Sequence, residues 1–202
     1  MPGMLIAVDG PKNVGKTVLL SNVYTMLRDA GLPVMFTKEP TRRFKLDNEQ
    51  NFRGARLARL IAQDRAAHLR FDIEPELAEG RVVVVDRYIA SSLAFQGLDG
   101  MPFDEIWELN RRFRLPHLNI FVTANVPTLE RRRTLRSGRT RLEQVNIDQE
   151  IAIYRHARAS MRSRGIATVT IDNSDGKNVT DTAQAIAKTI VRVTALRGKR
   201  RG

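Results

Sequence analysis

Residues 4–20, MLIAVDGPKNVGKTVLL, constrain this chain more than any other stretch. Residues 4–8 are a short apolar run, the composition of a buried strand. Asp9 and Gly10 end it. Gly10-Pro11-Lys12-Asn13-Val14-Gly15-Lys16-Thr17 then fits G-x-x-x-x-G-K-[ST] at every fixed position. An amphipathic run over 18–27 follows at once and predicts a helix. Strand, glycine loop and helix in immediate succession are the context in which such a loop holds phosphate. Its backbone N–H groups must converge on phosphate oxygens, which asks Gly10 and Gly15 for unusual dihedrals and close approach. The helix start adds its positive end. Lys16 can reach the β- and γ-phosphates, and the Thr17 hydroxyl can ligate Mg²⁺. Gly10, Lys12, Asn13, Val14, Gly15, Lys16, Thr17 and Val18 are therefore the candidate ATP-binding residues. The bland alternative is a glycine turn with a lysine beside it.

The rest of the chain continues the pattern. Strand-like runs fall at 33–37, 81–85, 118–122 and 166–171, and helical runs at 52–71, 104–113, 146–163 and 179–196. Pro75 stands as a break or first-turn residue, and Thr128 as a cap for the helix that carries an arginine cluster. Residues 41–52 read as a loop. Alternating strands and helices predict an α/β, doubly wound, five-stranded parallel sheet of the P-loop NTPase type, with ligand loops along one sheet edge. A chain of 202 residues suits one domain over 1–196, a lid segment at about 132–144 and a basic tail at 197–202.

Charge narrows the partners. The chain carries 34 basic and 22 acidic residues, a net +12, which suits a polyanionic ligand. Six arginines lie between Arg131 and Arg141, which favours a local phosphate site, and five basic residues lie from Arg192 onward. Nucleic acid is a weaker reading, since no nucleic-acid-binding motif appears. With no cysteine, no disulfide or thiolate metal site is available, which suits a reducing cytoplasm. The start MPGMLIAVDG lacks the pattern of a signal peptide, and no apolar run is long enough to span a membrane. His68 and His156 lack metal-ligand spacing and read as packing or surface residues, and Trp107 as core.

A second constellation follows the strand at 81–85. Asp86 ends it, as Asp9 ends the first strand. Its carboxylate can orient Mg²⁺ or its waters, or cap the next turn. Arg87 suits bidentate oxyanion binding, or a structural ion pair. Residues 89–97, IASSLAFQG, have the make-up of a small-ligand wall: Ser91 and Ser92 hydroxyls, the Phe95 ring and the Gln96 amide. Gln96 could read a base edge; Phe95 could pack on a sugar or simply in the core. Glu39-Pro40 ends the strand at 33–37, where ligands bind in open α/β sheets.

With these residues in hand the sequence resembles the thymidylate kinase family. The shared pieces are MLIAVDGPKNVGKT, FTKEP at 36–40, AQDRAAHL at 62–69, VVVVDRYIASSLAFQG at 82–97 and TLERRRTLRSGRTRLEQ at 128–144. The resemblance implies phosphoryl transfer from ATP with Mg²⁺ to a pyrimidine nucleoside monophosphate, dTMP-like, with a nucleoside as the alternative acceptor. It gives Lys16 and Thr17 to ATP and Mg²⁺ and Asp9 to the metal or the acceptor phosphate, with Arg132 joining the ATP-binding set and Asp86 the metal. Arg87 goes to the acceptor phosphate, with Glu39, Pro40, Arg65, Ser91, Ser92, Phe95 and Gln96 around the acceptor. Arg136 and Arg141 become arginines of a lid that closes over the phosphates, and a homodimer is expected.

Four departures stand out. Thr41-Arg42 replaces the family's usual Gly-Gly. The segment before Asp64-Arg65 is short, so a further acceptor-phosphate arginine has to come from Arg42, Arg43 or Arg53. Ile61 stands where the family has a stacking phenylalanine. The lid carries Thr140-Arg141-Leu142-Glu143 in place of Asp-Arg-x-Glu.

Overall fold

The computed structural model describes residues 3–45, 47–135 and 145–199, with side chains as far as residue 196. Arg136 and Arg141, and with them most of the expected lid, lie outside the described residues, as do the side chains of the basic tail.

The five predicted strands are present: β1 (Met4–Asp9), β2 (Val34–Lys38), β3 (Val82–Asp86), β4 (Leu118–Thr123) and β5 (Ala167–Asp172). They form one parallel sheet in the order β2-β3-β1-β4-β5. The uninterrupted valines of β3 follow from this position: apolar side chains are buried on both faces of an inner strand. On one face β1, β3 and β4 pack against α1 (Lys16–Asp29) and α9 (Val179–Lys199) through Ile6, Val8, Leu19, Val23, Ile186 and Ile190. On the other, Leu5, Ala7, Val83 and Phe121 meet α5 (Ile89–Leu98) and α8 (Ile147–Ser163) through Ile89, Leu93, Tyr154 and Met161. All five strands run the same way, so Asp9, Lys38, Asp86, Thr123 and Asp172 gather at one edge with the loops that follow them.

The structure alters several local expectations. Part of 41–52 is helical: α2 (Asp47–Asn51) brings Glu49 to the acceptor side. The helix expected over 52–71 is α3 (Gly54–His68), which continues through a wider turn of π-helix at Leu69–Ile73 into α4 (Glu74–Ala78). Pro75 sits in the first turn of α4, where its missing N–H costs little. The expected helix at 104–113 is α6 (Phe103–Asn110). Thr128 does not cap α7 (Val126–Thr134). Asn125 does, its side chain accepting from Thr128 N at 3.0 Å, while the Thr128 hydroxyl accepts from Asp175 N. Trp107 is core, as read, with Nε1 donating to Ser160 Oγ at 2.9 Å.

α5, α6 and α8 approach one another closely at Gly97. A Cβ there would stand 2.8 Å from Phe103 Cε1 and 3.1 Å from Ile153 Cδ1. Gly97→Ala gains helix propensity of about 1 kcal/mol. Overpacking against a ring costs about 1–3 kcal/mol and wins. The variant is expected to unfold at lower denaturant concentration than the wild type; an unchanged or higher midpoint would show that the ring shifts without penalty.

Candidate active site

The phosphate loop leaves β1 at Gly10, whose φ of 153° and closeness to β4 admit no side chain: a Cβ would lie 2.2 Å from the Val122 carbonyl oxygen. Gly15, at φ 92°, opens α1 and faces Asn173 Nδ2 in the same way. The loop is held from outside. Asn173 Nδ2 and Arg132 NH1 both donate to Val14 O, at 2.8 and 3.2 Å. Glu150, in the first turn of α8, accepts from Lys12 N at 2.8 Å. Lys16 Nζ lies inside the loop and donates to Gly10 O at 2.9 Å and Pro11 O at 3.2 Å. Burial, and after it the charge of Arg87, lowers the Lys16 ammonium to about 7; Asp86, Asp9 and Glu150 oppose this.

One hollow beside the loop is lined by Asn13, Gly15, Val18, Leu19, Arg132, Asn173 and Val179. A second, with Thr17 and Asp86 among its walls, lies at the start of α1. Asp86 Oδ1 is buried there without a hydrogen-bond partner among the described residues.

A third cavity, of about 150 Å³, has Lys12 of the loop among its walls and is otherwise walled largely by α3 and α5. Lys12, Arg87, Tyr88 and Ser91 line its loop end. Glu39, Pro40, Ile61, Arg65, Ser92, Phe95 and Gln96 line the rest, with Glu49, Leu57 and Asp99. Arg87 has a left-handed backbone, φ 68°, which costs energy in a residue with a side chain and is found most at functional sites. Its guanidinium lies 4.9 Å from the Phe95 ring centroid and donates to Tyr154 Oη at 3.1 Å. Phe95 lines the cavity and packs edge-on against Tyr154, with ring centroids 6.1 Å apart.

Arg65 lines this cavity, while Asp9 lies behind it and bonds to the lining residues Tyr88 and Ser91; each is tied into the protein. Asp9 is fully buried. Its Oδ1 accepts from Tyr88 N, Ser91 N and Ser91 Oγ at 3.0, 3.0 and 2.5 Å, and its Oδ2 from Asn119 Nδ2 at 2.9 Å. Arg65 donates to Glu39 through Nε and NH2, to Ser92 Oγ at 3.0 Å and to Asn110 Oδ1. It also stacks on Tyr88 at 4.9 Å. His68 proves structural, as read: Nδ1 meets Glu39 Oε1 at 3.0 Å and Nε2 meets the Thr37 hydroxyl at 2.7 Å. Gln96 is buried, and its Oε1 has no partner among the described residues. Thr41 gains a reason here, since its N–H and hydroxyl both donate to Asp64 and close the Glu39–Thr41 turn over α3.

A sequence model of the thymidylate kinase family matches residues 8–184. The chain belongs to the thymidylate kinase family. A protein named thymidylate kinase from Xanthomonas oryzae pv. oryzae strain PXO99A is 37% identical over 132 residues, 62% of this chain and 58% of that protein. One of the same name from Bacillus velezensis is 37% identical over 121 residues, 55% of this chain and 57% of that protein. The chain spans little more than half the length of the curated relatives it matches.

Within this family member, three arginines considered for the acceptor phosphate stand elsewhere. Arg43 makes a bidentate pair with Asp72, at 2.6 and 2.9 Å, and none of Arg42, Arg43 and Arg53 lines the third cavity. Asn110, Asn119, Glu150, Tyr154 and Asn173 were not singled out by sequence. Each comes from a segment distant along the chain from its partner: Asn110 meets Arg65, Asn119 Asp9, Glu150 Lys12, Tyr154 Arg87 and Asn173 Val14.

Proposed function

We propose that this chain is an ATP-dependent nucleoside monophosphate kinase that phosphorylates a pyrimidine deoxynucleotide of the dTMP type in the cytoplasm. The observation that carries the reading is that two separate cavities each have residues of the one phosphate loop among their walls. Lys12 lines the acceptor side and Asn13 and Gly15 the other. A donor bound through Gly15, Lys16 and Arg132 and an acceptor bound beside Arg87 would bring their phosphates together over that loop. Family membership supports the same assignment.

The chain's residues supply positioning and charge, which is most of what phosphoryl transfer needs. The loop N–H groups and the N-terminus of α1 grip the donor phosphates. Lys16 transfers its donors from Gly10 O and Pro11 O to phosphate oxygens. Arg87 holds the acceptor phosphate, one oxygen of which attacks the γ-phosphorus as the bond to the β–γ bridging oxygen breaks. ADP leaves and a nucleoside diphosphate forms. Arg132 is assigned to the donor, and Arg136 and Arg141 to closure over it. Ser92, Phe95 and Gln96 are assigned to the sugar and base, with Arg65 held flat against the pocket by Glu39.

Mg²⁺ fits the residues present. Among the described residues no three His, Cys, Asp or Glu side chains stand together as a metal cage. Mg²⁺ takes most of its ligands from phosphate and water, with one or two hard oxygens from protein. The Thr17 hydroxyl and Asp86, with its unpartnered buried oxygen, are such a pair. The ion would neutralise donor charge.

The nucleoside alternative is weakened by Glu39, its candidate base. Both oxygens of Glu39 are engaged by Arg65 and His68. A nucleic-acid role for the positive charge is weakened by the acidic partners of Arg43, Arg81, Arg114 and Arg131. No helix among the described residues is long and apolar enough to cross a membrane.

The test is ATP consumption with dTMP, dUMP, dCMP, UMP, CMP and thymidine as acceptors. One monophosphate should be preferred, with ADP and a nucleoside diphosphate formed one to one. Turnover of thymidine alone, or no turnover with tight DNA binding at low salt, would overturn the reading.

A further inference from the structure

We infer that Tyr154 is the positioning residue of Arg87: its phenol, in the middle of a hydrogen-bond chain from Arg87 to Asp9, fixes the guanidinium that meets the acceptor's phosphate. This rests on the kinase reading above. Tyr154 is buried and belongs to α8, 67 residues along the chain from Arg87. Its hydroxyl oxygen stands 3.1 Å from Arg87 NH1 and 3.1 Å from Ser91 Oγ.

The direction of the chain follows from counting hydrogens. Ser91 Oγ carries one and gives it to the Asp9 carboxylate, at 2.5 Å from Oδ1. Towards Tyr154 the serine oxygen can then only accept. A guanidinium only donates, so Tyr154 Oη accepts from Arg87 NH1. Burial pushes the Tyr154 phenol well above its ordinary value, which keeps its proton in place for Ser91. The phenol therefore has one role as acceptor and one as donor, and both are filled. A phenylalanine would occupy the same space and could perform neither.

Backbone and side chain of Arg87 are held from different elements. The backbone is set from β1: Arg87 N donates to Val8 O at 2.9 Å and Tyr88 N to Asp9 Oδ1 at 3.0 Å, around the left-handed φ of 68°. The side chain is set from α8 and α5. It meets Tyr154 Oη and lies 4.9 Å from the Phe95 ring centroid, and no carboxylate among the described residues forms an ion pair with it. Phe95 stands edge-on to Tyr154, ring centroids 6.1 Å apart, so the tyrosine bears on the guanidinium directly and through that ring. A neutral phenol orients the guanidinium without cancelling its charge and leaves its other donors for an incoming oxyanion. A carboxylate in the same place would orient it as well and then compete with phosphate.

The experiment is calorimetry on the full chain with dTMP and thymidine as separate ligands, joined to steady-state kinetics. Tyr154→Phe keeps the ring and removes the hydroxyl. It should weaken dTMP by about tenfold, the size of one hydrogen bond to a charged group, and leave thymidine unchanged, since thymidine has no phosphate for Arg87 to hold. The KM for dTMP should rise with little change in the KM for ATP. In an Arg87→Met background the same substitution should add nothing to the loss of dTMP affinity, because the group it acts through is gone. Melting curves confirm that each variant is folded; if Arg87→Met is not, the contrast between dTMP and thymidine in Tyr154→Phe decides alone. Wild-type dTMP affinity in Tyr154→Phe overturns the inference. So does equal weakening of dTMP and thymidine, which would make Tyr154 a packing residue of the Phe95 wall, and so does a full further tenfold loss in the Arg87→Met background. Binding of neither dTMP nor thymidine by the wild-type chain overturns the kinase reading and this inference with it.

Discussion

Lys16→Ala is expected to lower kcat by about 10²–10³, the range found when one preorganised donor is removed from a developing negative charge. The same residue should give ATP binding a pH dependence. Burial holds the Lys16 ammonium at about 7 against an ordinary 10.5. Below pH 7 the group is already charged and can meet phosphate directly. Above it the group is neutral, and ATP binding must take up a proton. Affinity for ATP should then be flat below about 7 and fall toward tenfold per unit above it, until the pH exceeds the pKa of the complex. Calorimetry at pH 8 in two buffers of different ionisation enthalpy should show close to one proton taken up per ATP. Lys16→Met should remove that uptake, which separates it from the nucleotide's own titration. Stability carries the converse sign. The unfolded chain holds the extra proton between about 7 and 10.5, so unfolding free energy from this group rises with pH across that window. It is lowest below 7, where the buried amine is charged. A pH-independent ATP affinity in the wild type would show that Lys16 stays charged throughout.

The legible and illegible parts of this site differ in a physical way. The loop from Gly10 to Thr17 could be read because its requirements are local: a strand, two glycines, a lysine and a helix start, all within covalent reach. The same holds for Asp86 and Arg87, which end the most apolar strand. The fold followed from the alternation of such segments. What could not be read depends on which strands are neighbours. Asn119 reaches Asp9 because β4 lies beside β1. Asn173 reaches Val14 because β5 lies beside β4. Glu150 and Tyr154 reach the loop and Arg87 because α8 packs on α5, and no periodicity within α8 distinguishes them from other buried positions. The motif gives Lys12 its position in the chain, while the residues around it come from α8, α3 and α5. Resemblance gives Arg65 to the acceptor; the structure shows Glu39 and Asn110 holding most of its donors.

Asp9 provides the second large effect, and it separates two roles that sequence gives one residue. As a metal ligand or a group facing the acceptor phosphate, its charge would matter and its hydrogen bonds would not. The structure gives it four protein hydrogen bonds, three of them to the start of α5. There a buried carboxylate satisfies N–H groups that a helix start leaves unpaired, and meets the positive end of its dipole. α5 carries Ser91, Ser92, Phe95 and Gln96 along the acceptor cavity, so Asp9 sets the wall from a different strand. Asp9→Ala leaves those donors buried and unpaired and should cost about 3–5 kcal/mol of stability, read from denaturant midpoints, with acceptor binding lost alongside. Asp9→Asn is the discriminating variant. One amide oxygen can still accept from Tyr88, Ser91 and the Ser91 hydroxyl. The new N–H₂ would face Asn119, whose own Oδ1 is buried without a partner and becomes available if that side chain turns over. The wall would survive with a weaker helix-dipole interaction. If Asp9 acts through the scaffold, Asp9→Asn should keep kcat within about tenfold of wild type, a barrier change of roughly 1.4 kcal/mol or less, at a modest loss of stability. A folded Asp9→Asn protein with kcat reduced by a further two orders of magnitude would instead place the charge of Asp9 in the reaction itself.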